Sequence, residues 1–159
     1  MDKLLQLLSR DASLTPDKLA RMLEVSAEEV KRKIAAYEKE GIILAYKAIL
    51  NEDKLNMERV KAVIEIRITP EREGGFDRTA ERISKFEEVT SCFLMSGGYD
   101  VLIFVEGKTL HQVASFVASK LATLDRVQST ATHFMLKTYK EQGILMAMNT
   151  QEERMSVTP

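Results

Sequence analysis

The feature that most limits this chain is a pair of helix-start signals placed almost back to back near its N-terminus. Thr15-Pro16 is the first: the threonine hydroxyl can accept an orphaned amide, and proline at the first helical position loses no useful donor. Leu19, Ala20 and Leu23 continue that helix along one apolar face. Only Glu24 and Val25 separate it from Ser26, which opens a capping box with Glu29 and starts another helix. Val30, Ile34 and Tyr37 mark the buried side of this second helix, and Gly41 supplies the residue past its end, where φ > 0 is often required. Leu4, Leu5 and Leu8 add a short helix ahead of the pair. Two helices joined by about three residues, the second strongly capped, read as a helix-turn-helix.

Charge by itself leaves the role of that unit open. Lys31, Arg32 and Lys33 lie in the first turns of the second helix and Lys39 at its end; with Ser26, these are the residues expected to meet phosphates and base edges of double-stranded DNA. A solvated face on an ordinary three-helix bundle explains the same charges equally well. Glu28 and Glu29 oppose DNA binding at the helix end that normally enters the groove, and only Glu29 has a capping task. The whole chain carries a net charge of −1, and residues 1–50 hold 9 Lys/Arg against 8 Asp/Glu. DNA binding must therefore rest on a local stripe rather than on bulk attraction.

After Gly41 the pattern changes. Ile42 to Leu50 is rich in β-branched and aliphatic residues and predicts a strand, completing a winged unit over 1–50. Residues 51–58 are polar and turn-like and read as a linker. Val60, Ala62, Ile64, Ile66 and Ile68 then alternate with their neighbours as a strand, ended by Pro70 and Gly74-Gly75. Phe76, Ala80, Ile83 and Phe86 follow at helical spacing. Val89 to Met95 is a second strand, Gly97-Gly98 a tight connection, and Tyr99 to Val105 a third strand. Leu110, Val113, Val117, Leu121 and Leu124 mark another amphipathic helix, and Val127 to Tyr139 a last strand with room for a bulge.

This order predicts an α+β chain: the helix-turn-helix unit followed over 59–142 by a ferredoxin-like (ACT-like) βαββαβ domain, with both helices on one face of an antiparallel sheet. The third strand is apolar on both sides, with Tyr99, Val101, Ile103 and Val105 on one and Leu102 and Phe104 on the other. A sheet covered on one face should alternate apolar with polar, so the open face is expected to pack on another subunit, giving a homodimer or a higher even oligomer. Ile144, Leu145, Met146 and Met148 make the tail over 143–159 more apolar than a linker, and Met155 and Val157 suit a short edge strand or a disordered end.

The remaining composition excludes several classes. At 159 residues and 45 % hydrophobic content the chain can build real cores. No run reaches the roughly 18 apolar residues of a membrane span, and no signal-peptide pattern opens the sequence. Cys92 is the only cysteine, which suits a reducing compartment and a cytoplasmic location; mid-strand, it reads first as a small buried side chain. His111 and His133 lie on different elements with no partner at metal spacing, so no metal site and no cofactor is expected. Neither a nucleophilic triad, a phosphate loop nor a catalytic carboxylate pair can be placed, so the chain does not read as an enzyme.

A helix-turn-helix, a strand and a βαββαβ module in this order resemble the Lrp/AsnC family of bacterial and archaeal transcription regulators. The resemblance covers about residues 2–140. It rests on Ser26, Val30, Arg32-Lys33, Ile34, the run from Glu38 to Ile43, and Tyr46; then on Gly97-Gly98-Tyr99-Asp100 and on Val127, Thr130 and Thr132. It implies sequence-specific DNA binding, C-terminal domains that dimerise through their sheets and assemble further, often to octamers, and an amino acid or related small molecule held between those domains. The implied effector residues are Gly97, Gly98, Tyr99 and Asp100, with Thr130 and Thr132 nearby. Such a loop is chemically suited: glycines let amides approach a carboxylate, and Asp100 can accept from an α-ammonium group. A plain Gly-Gly hairpin whose aspartate binds its own backbone accounts for the same residues. A metabolite-binding module that acts on protein partners is the alternative function. Three departures from the family pattern stand out: Ala35 and Ala36 where basic residues are common, Leu124-Asp125-Arg126-Val127 in place of a frequent Pro-Gly turn, and Glu24 where glycine is frequent. Fewer basic contacts imply weak half-sites offset by oligomeric avidity.

Overall fold

The computed structural model describes residues 2–55, 57–70 and 75–146. The chain divides into two compact units, Met1–Leu50 and Asn51–Pro159.

In the first unit α1 (Lys3–Arg10), α2 (Pro16–Leu23) and α3 (Ala27–Lys39) each begin at a side-chain cap. Asp2 accepts from the Leu4 amide at 2.7 Å, Thr15 from Lys18 at 3.4 Å and Ser26 from Glu29 at 3.1 Å. The reciprocal half of the Ser26 box is not made, because the Glu29 carboxylate turns outward to Lys33 at 3.3 Å. Leu4, Leu8, Leu19, Ala20 and Val30 form the core, with Ile34 and Tyr37 packed against it. Each fully buried aliphatic side chain contributes roughly 1.5–3 kcal/mol. Gly41, at φ +69°, ends α3, and the Ile42 and Ile43 amides both bond to the Tyr37 carbonyl.

The strand expected over Ile42–Leu50 is a correction. Beyond Ile43 the backbone of the segment pairs with no strand among the described residues, and Leu44 is 89 % exposed. Its composition is strand-like, but a ladder needs a neighbour, and this chain places none beside it.

The second unit opens with a 3₁₀ turn at Glu52–Leu55, whose Glu52 pairs with Lys61 at 2.9 Å. Its sheet is β1 (Val60–Ile68), β2 (Val89–Leu94), β3 (Val101–Gly107) and β4 (Val127–Phe134), in the order β2-β3-β1-β4 with every pairing antiparallel. This is the expected ferredoxin-like arrangement. The even-numbered residues Ala62 to Ile68 of β1 and Val101, Ile103 and Val105 of β3 are buried with residues of α4 (Asp77–Ser84) and α5 (Leu110–Phe116). The expected bulge lies at the start of β4, where the register with β1 slips between Arg67 and Ile68.

Four expectations need amendment here. α5 stops at Phe116 and continues as a π-helical turn, Val117–Leu121. Buried positions run Val113, Phe116, Leu121, Leu124, with Val117 packed beside them, while Leu110 at the start of the helix is 58 % exposed. The third strand starts at Val101 rather than Tyr99, because Asp100 breaks the alternation to bind β1. The last strand stops at Phe134 rather than Tyr139. Beyond it, β5 (Lys140–Glu141) and β6 (Ile144–Leu145) make a hairpin whose turn, Gln142-Gly143, has φ of 43° and 89°. Two positive φ values match the twist of a two-residue hairpin, and the boundary drawn between 142 and 143 falls inside that turn. Gly74, Met148, Met155 and Val157 lie outside the described residues.

Candidate nucleic-acid interface and ligand loop

Side chains of α3 divide cleanly by direction. Ala27, Val30, Ile34 and Tyr37 pack inward, and Glu28, Arg32, Ala35, Ala36 and Lys39 form the exposed stripe opposite. Of the expected DNA-contacting residues, Ser26 has its oxygen engaged by the Glu29 amide, which leaves its O–H to donate. Lys31 pairs with Glu28 at 2.8 Å and Lys33 with Glu29 at 3.3 Å. Glu28 pushes the Lys31 ammonium above its usual range by that hydrogen bond. Such solvent-exposed pairs within a helix are screened and weak. Arg32 and Lys39 are exposed and make no ion pair among the described residues. Among the described residues the helix thus carries two cations without an ion pair and two that are paired within it.

Long-range bonds set the position of α3. The Tyr37 hydroxyl donates to Asp2 at 2.7 Å, tying the last turns of α3 to the cap of α1. That bond, together with the Leu4 amide, holds the Asp2 carboxyl below the usual carboxylate range. Tyr46 donates to Glu38 at 3.0 Å and fastens the chain that leaves α3. Neither contact has a local sequence signal.

In the second unit, the Gly97–Asp100 loop joins β2 to β3 at one end of the sheet. Gly97 has φ +141°, which a side chain rarely adopts, and both Gly97 and Gly98 have open space where a Cβ would stand. Asp100 is anchored rather than loose: Oδ2 accepts from the Ile68 amide at 2.8 Å and its own amide donates to Ile66 at 3.0 Å. Its side chain therefore binds the backbone of β1, not the hairpin's own. On the other side of β1, Thr130 and Thr132 pair with Ile66 and Ile64 and are half-buried. The loop and the two threonines thus meet one end of the sheet from both sides of β1. A cleft of about 560 Å³ lined by Glu52, Arg59, Lys61, Met135 and Lys137 lies at the opposite end.

The open face of the sheet carries Val63, Glu65, Arg67, Phe93, Leu102, Phe104 and His133. Phe93, 50 % exposed, meets Phe104 edge-on with ring centroids 6.2 Å apart. His133 lies 3.4 Å from Glu65, and His111 is 3.4 Å from the Ser115 hydroxyl. Among the described residues no three His, Cys, Asp or Glu side chains are grouped to hold a metal, and no helix is long and apolar enough to cross a membrane. Cys92 is half-buried against the Ala80 carbonyl, and burial pushes its thiol upward, away from reactivity.

Comparison with known proteins follows this division. Residues 3–43 match the family described as winged helix-turn-helix DNA-binding, and residues 61–145 the Lrp/AsnC ligand binding domain. A Bacillus subtilis protein named as an uncharacterized HTH-type transcriptional regulator, YugG, is 40 % identical over 99 % of this chain and 95 % of its own. The leucine-responsive regulatory protein of Haemophilus influenzae is 24 % identical over 91 % of this chain and 86 % of its own. A Neisseria meningitidis transcriptional regulator solved in complex with L-Met superposes with a TM-score of 0.67 at 28 % identity, covering 89 % of this chain and 93 % of its own. Escherichia coli AsnC, at 22 % identity and a TM-score of 0.68 over 91 % of this chain and 97 % of its own, shares the fold.

Proposed function

This chain belongs to the Lrp/AsnC family of transcription regulators, and from that premise we propose that it reads duplex DNA through α3 under the control of an amino acid bound between its C-terminal units. The observation that carries the reading is the outward stripe of α3: a capped helix presents Arg32 and Lys39 without ion pairs, while its opposite face is locked in the core. Ser26, Lys31 and Lys33 add phosphate contacts around it. Neutralising Arg32 and Lys33 together is expected to abolish specific retention of operator DNA while leaving the oligomer intact. Unchanged DNA affinity in that double variant would sink the assignment.

The effector reading rests on Gly97, Gly98, Tyr99 and Asp100 with Thr130 and Thr132. Glycine amides suit a ligand carboxylate, and Asp100 keeps acceptor capacity for an ammonium group beyond its bond to Ile68. The L-Met complex of the Neisseria regulator supports an amino acid as the ligand class. A thermal-shift panel of free amino acids is expected to yield at least one that raises the melting temperature, and Asp100→Asn to weaken that shift. A flat panel would leave this loop without a ligand.

A second copy of the chain is the partner we assign to the open sheet face and to the unpaired 44–50 segment. The face offers apolar area and the segment offers backbone groups unpaired among the described residues, and an isologous contact can satisfy both. The dimer sets two α3 helices about 34 Å apart, in successive major grooves, and further pairing gives an even assembly such as an octamer. Regulation without catalysis, in the cytoplasm, is the setting this function implies.

A further inference from the structure

Glu28 is the residue on α3 that DNA binding leaves unexplained. It stands on the outward stripe, its side chain 83 % exposed, one turn before Arg32 and on the same face. A carboxylate there meets the negative field of the phosphates as the helix enters a groove, which costs affinity unless it finds a donor. The floor of the major groove offers two: the amino group of cytosine and that of adenine. Adenine, with N6 a donor and N7 an acceptor on one base, is matched by the donor-and-acceptor amide of Asn or Gln, whereas a carboxylate, which only accepts, is the partner of the cytosine amino group. Lys31, the present partner of Glu28 at 2.8 Å, flanks the stripe and can turn to a phosphate, so the exchange releases Glu28 for a base at little cost.

We infer that Glu28 is a specificity-determining residue, accepting from the amino group of a cytosine in each half-site. The inference rests on the DNA-reading role assigned to α3 above. Arg32 sits about 6 Å farther along the helix axis, within two base-pair steps of about 3.4 Å, and takes a guanine through its O6 and N7. Ala35 and Ala36 follow on the same stripe; their small side chains let the helix approach closely and suit contact with thymine methyl groups.

The test is selection of a random-sequence duplex library by the full-length protein. Wild type is expected to enrich one fixed cytosine per half-site. Glu28→Ala should lose the preference at that position alone, and Glu28→Gln should move it toward adenine. Replacing the cytosine by thymine in the selected duplex should cost wild type roughly tenfold in affinity and Glu28→Ala almost nothing. Identical enriched sequences from wild type and Glu28→Ala would overturn the inference, and so would a variant that binds every duplex more tightly by the same factor, since Glu28 would then only repel phosphates. If wild type enriches nothing, the DNA-reading role itself fails, and the inference with it.

Discussion

Glu24 adopts φ 56° and ψ 40°, a left-handed conformation, at the C-cap of α2. It is one of two described non-glycine residues with positive φ, and it sits in the turn that sets α3 against α2. The Cβ clash there costs about 1–2 kcal/mol, and glycine would recover it less the ~0.5–1 kcal/mol of extra freedom it has when unfolded. Glu24→Gly should therefore raise the unfolding free energy by about 0.5–1 kcal/mol in urea denaturation, and Glu24→Val should lower it. Local chemistry of this kind was readable in advance. The caps at Thr15 and Ser26 and the glycine at Gly41 involve residues a few positions apart. The bonds from Tyr37 to Asp2 and from Asp100 to Ile68 join residues 35 and 32 apart, and no spacing rule could find them. For Asp100 the fold supplies what the loop motif alone could not, an anchor on β1.

Period was a good guide to elements wherever burial follows a regular helix or strand. Val60–Ile68 alternates cleanly and forms β1; in the second amphipathic helix Val113, Leu121 and Leu124 are buried and Val117 packs against the core as expected, while Leu110 is exposed, Phe116 is also inward and a π turn interrupts the α-helix. The 42–50 segment fails differently: its residues suit a strand, and no described residue pairs with it as a neighbouring strand. The apolar excess on β3 points the same way. Leu102 and Phe104 remain only half-buried on the open face, with Phe93 beside them. If a second copy covers that face, Phe93→Glu places a charge in the contact. Sedimentation velocity should then report a smaller species while the circular dichroism spectrum is retained. An assembly of unchanged size would mean that the face is not the contact.

At the level of the whole molecule, two units of different chemistry share one chain of net charge −1. Bulk electrostatics gives it no pull toward DNA, so under the proposed function affinity rests on a few cations per α3 and on avidity between copies. Lys31 and Lys33 are paired with Glu28 and Glu29, partners that phosphates must displace if those lysines are to contact DNA. In the proposed function, oligomeric avidity and a C-terminal ligand are parts of one device: a ligand that changes the arrangement of copies changes how many α3 helices reach DNA together. Such coupling is reciprocal, so an amino acid that alters DNA affinity must itself bind differently when DNA is present. The order of modules was legible from the sequence because each carries its own periodic signature. For the proposed assembly the sequence offers only surplus apolar surface.

The most direct test of the central claim is the affinity of the full-length protein for its selected duplex, measured by fluorescence anisotropy from about 50 to 200 mM salt. Several phosphate contacts per dimer predict a loss of more than about tenfold over that range, with a shallower slope in the variant lacking Arg32 and Lys33. Affinity that does not change with salt, or no duplex binding at all, would contradict the account and favour a metabolite-binding module acting through protein partners.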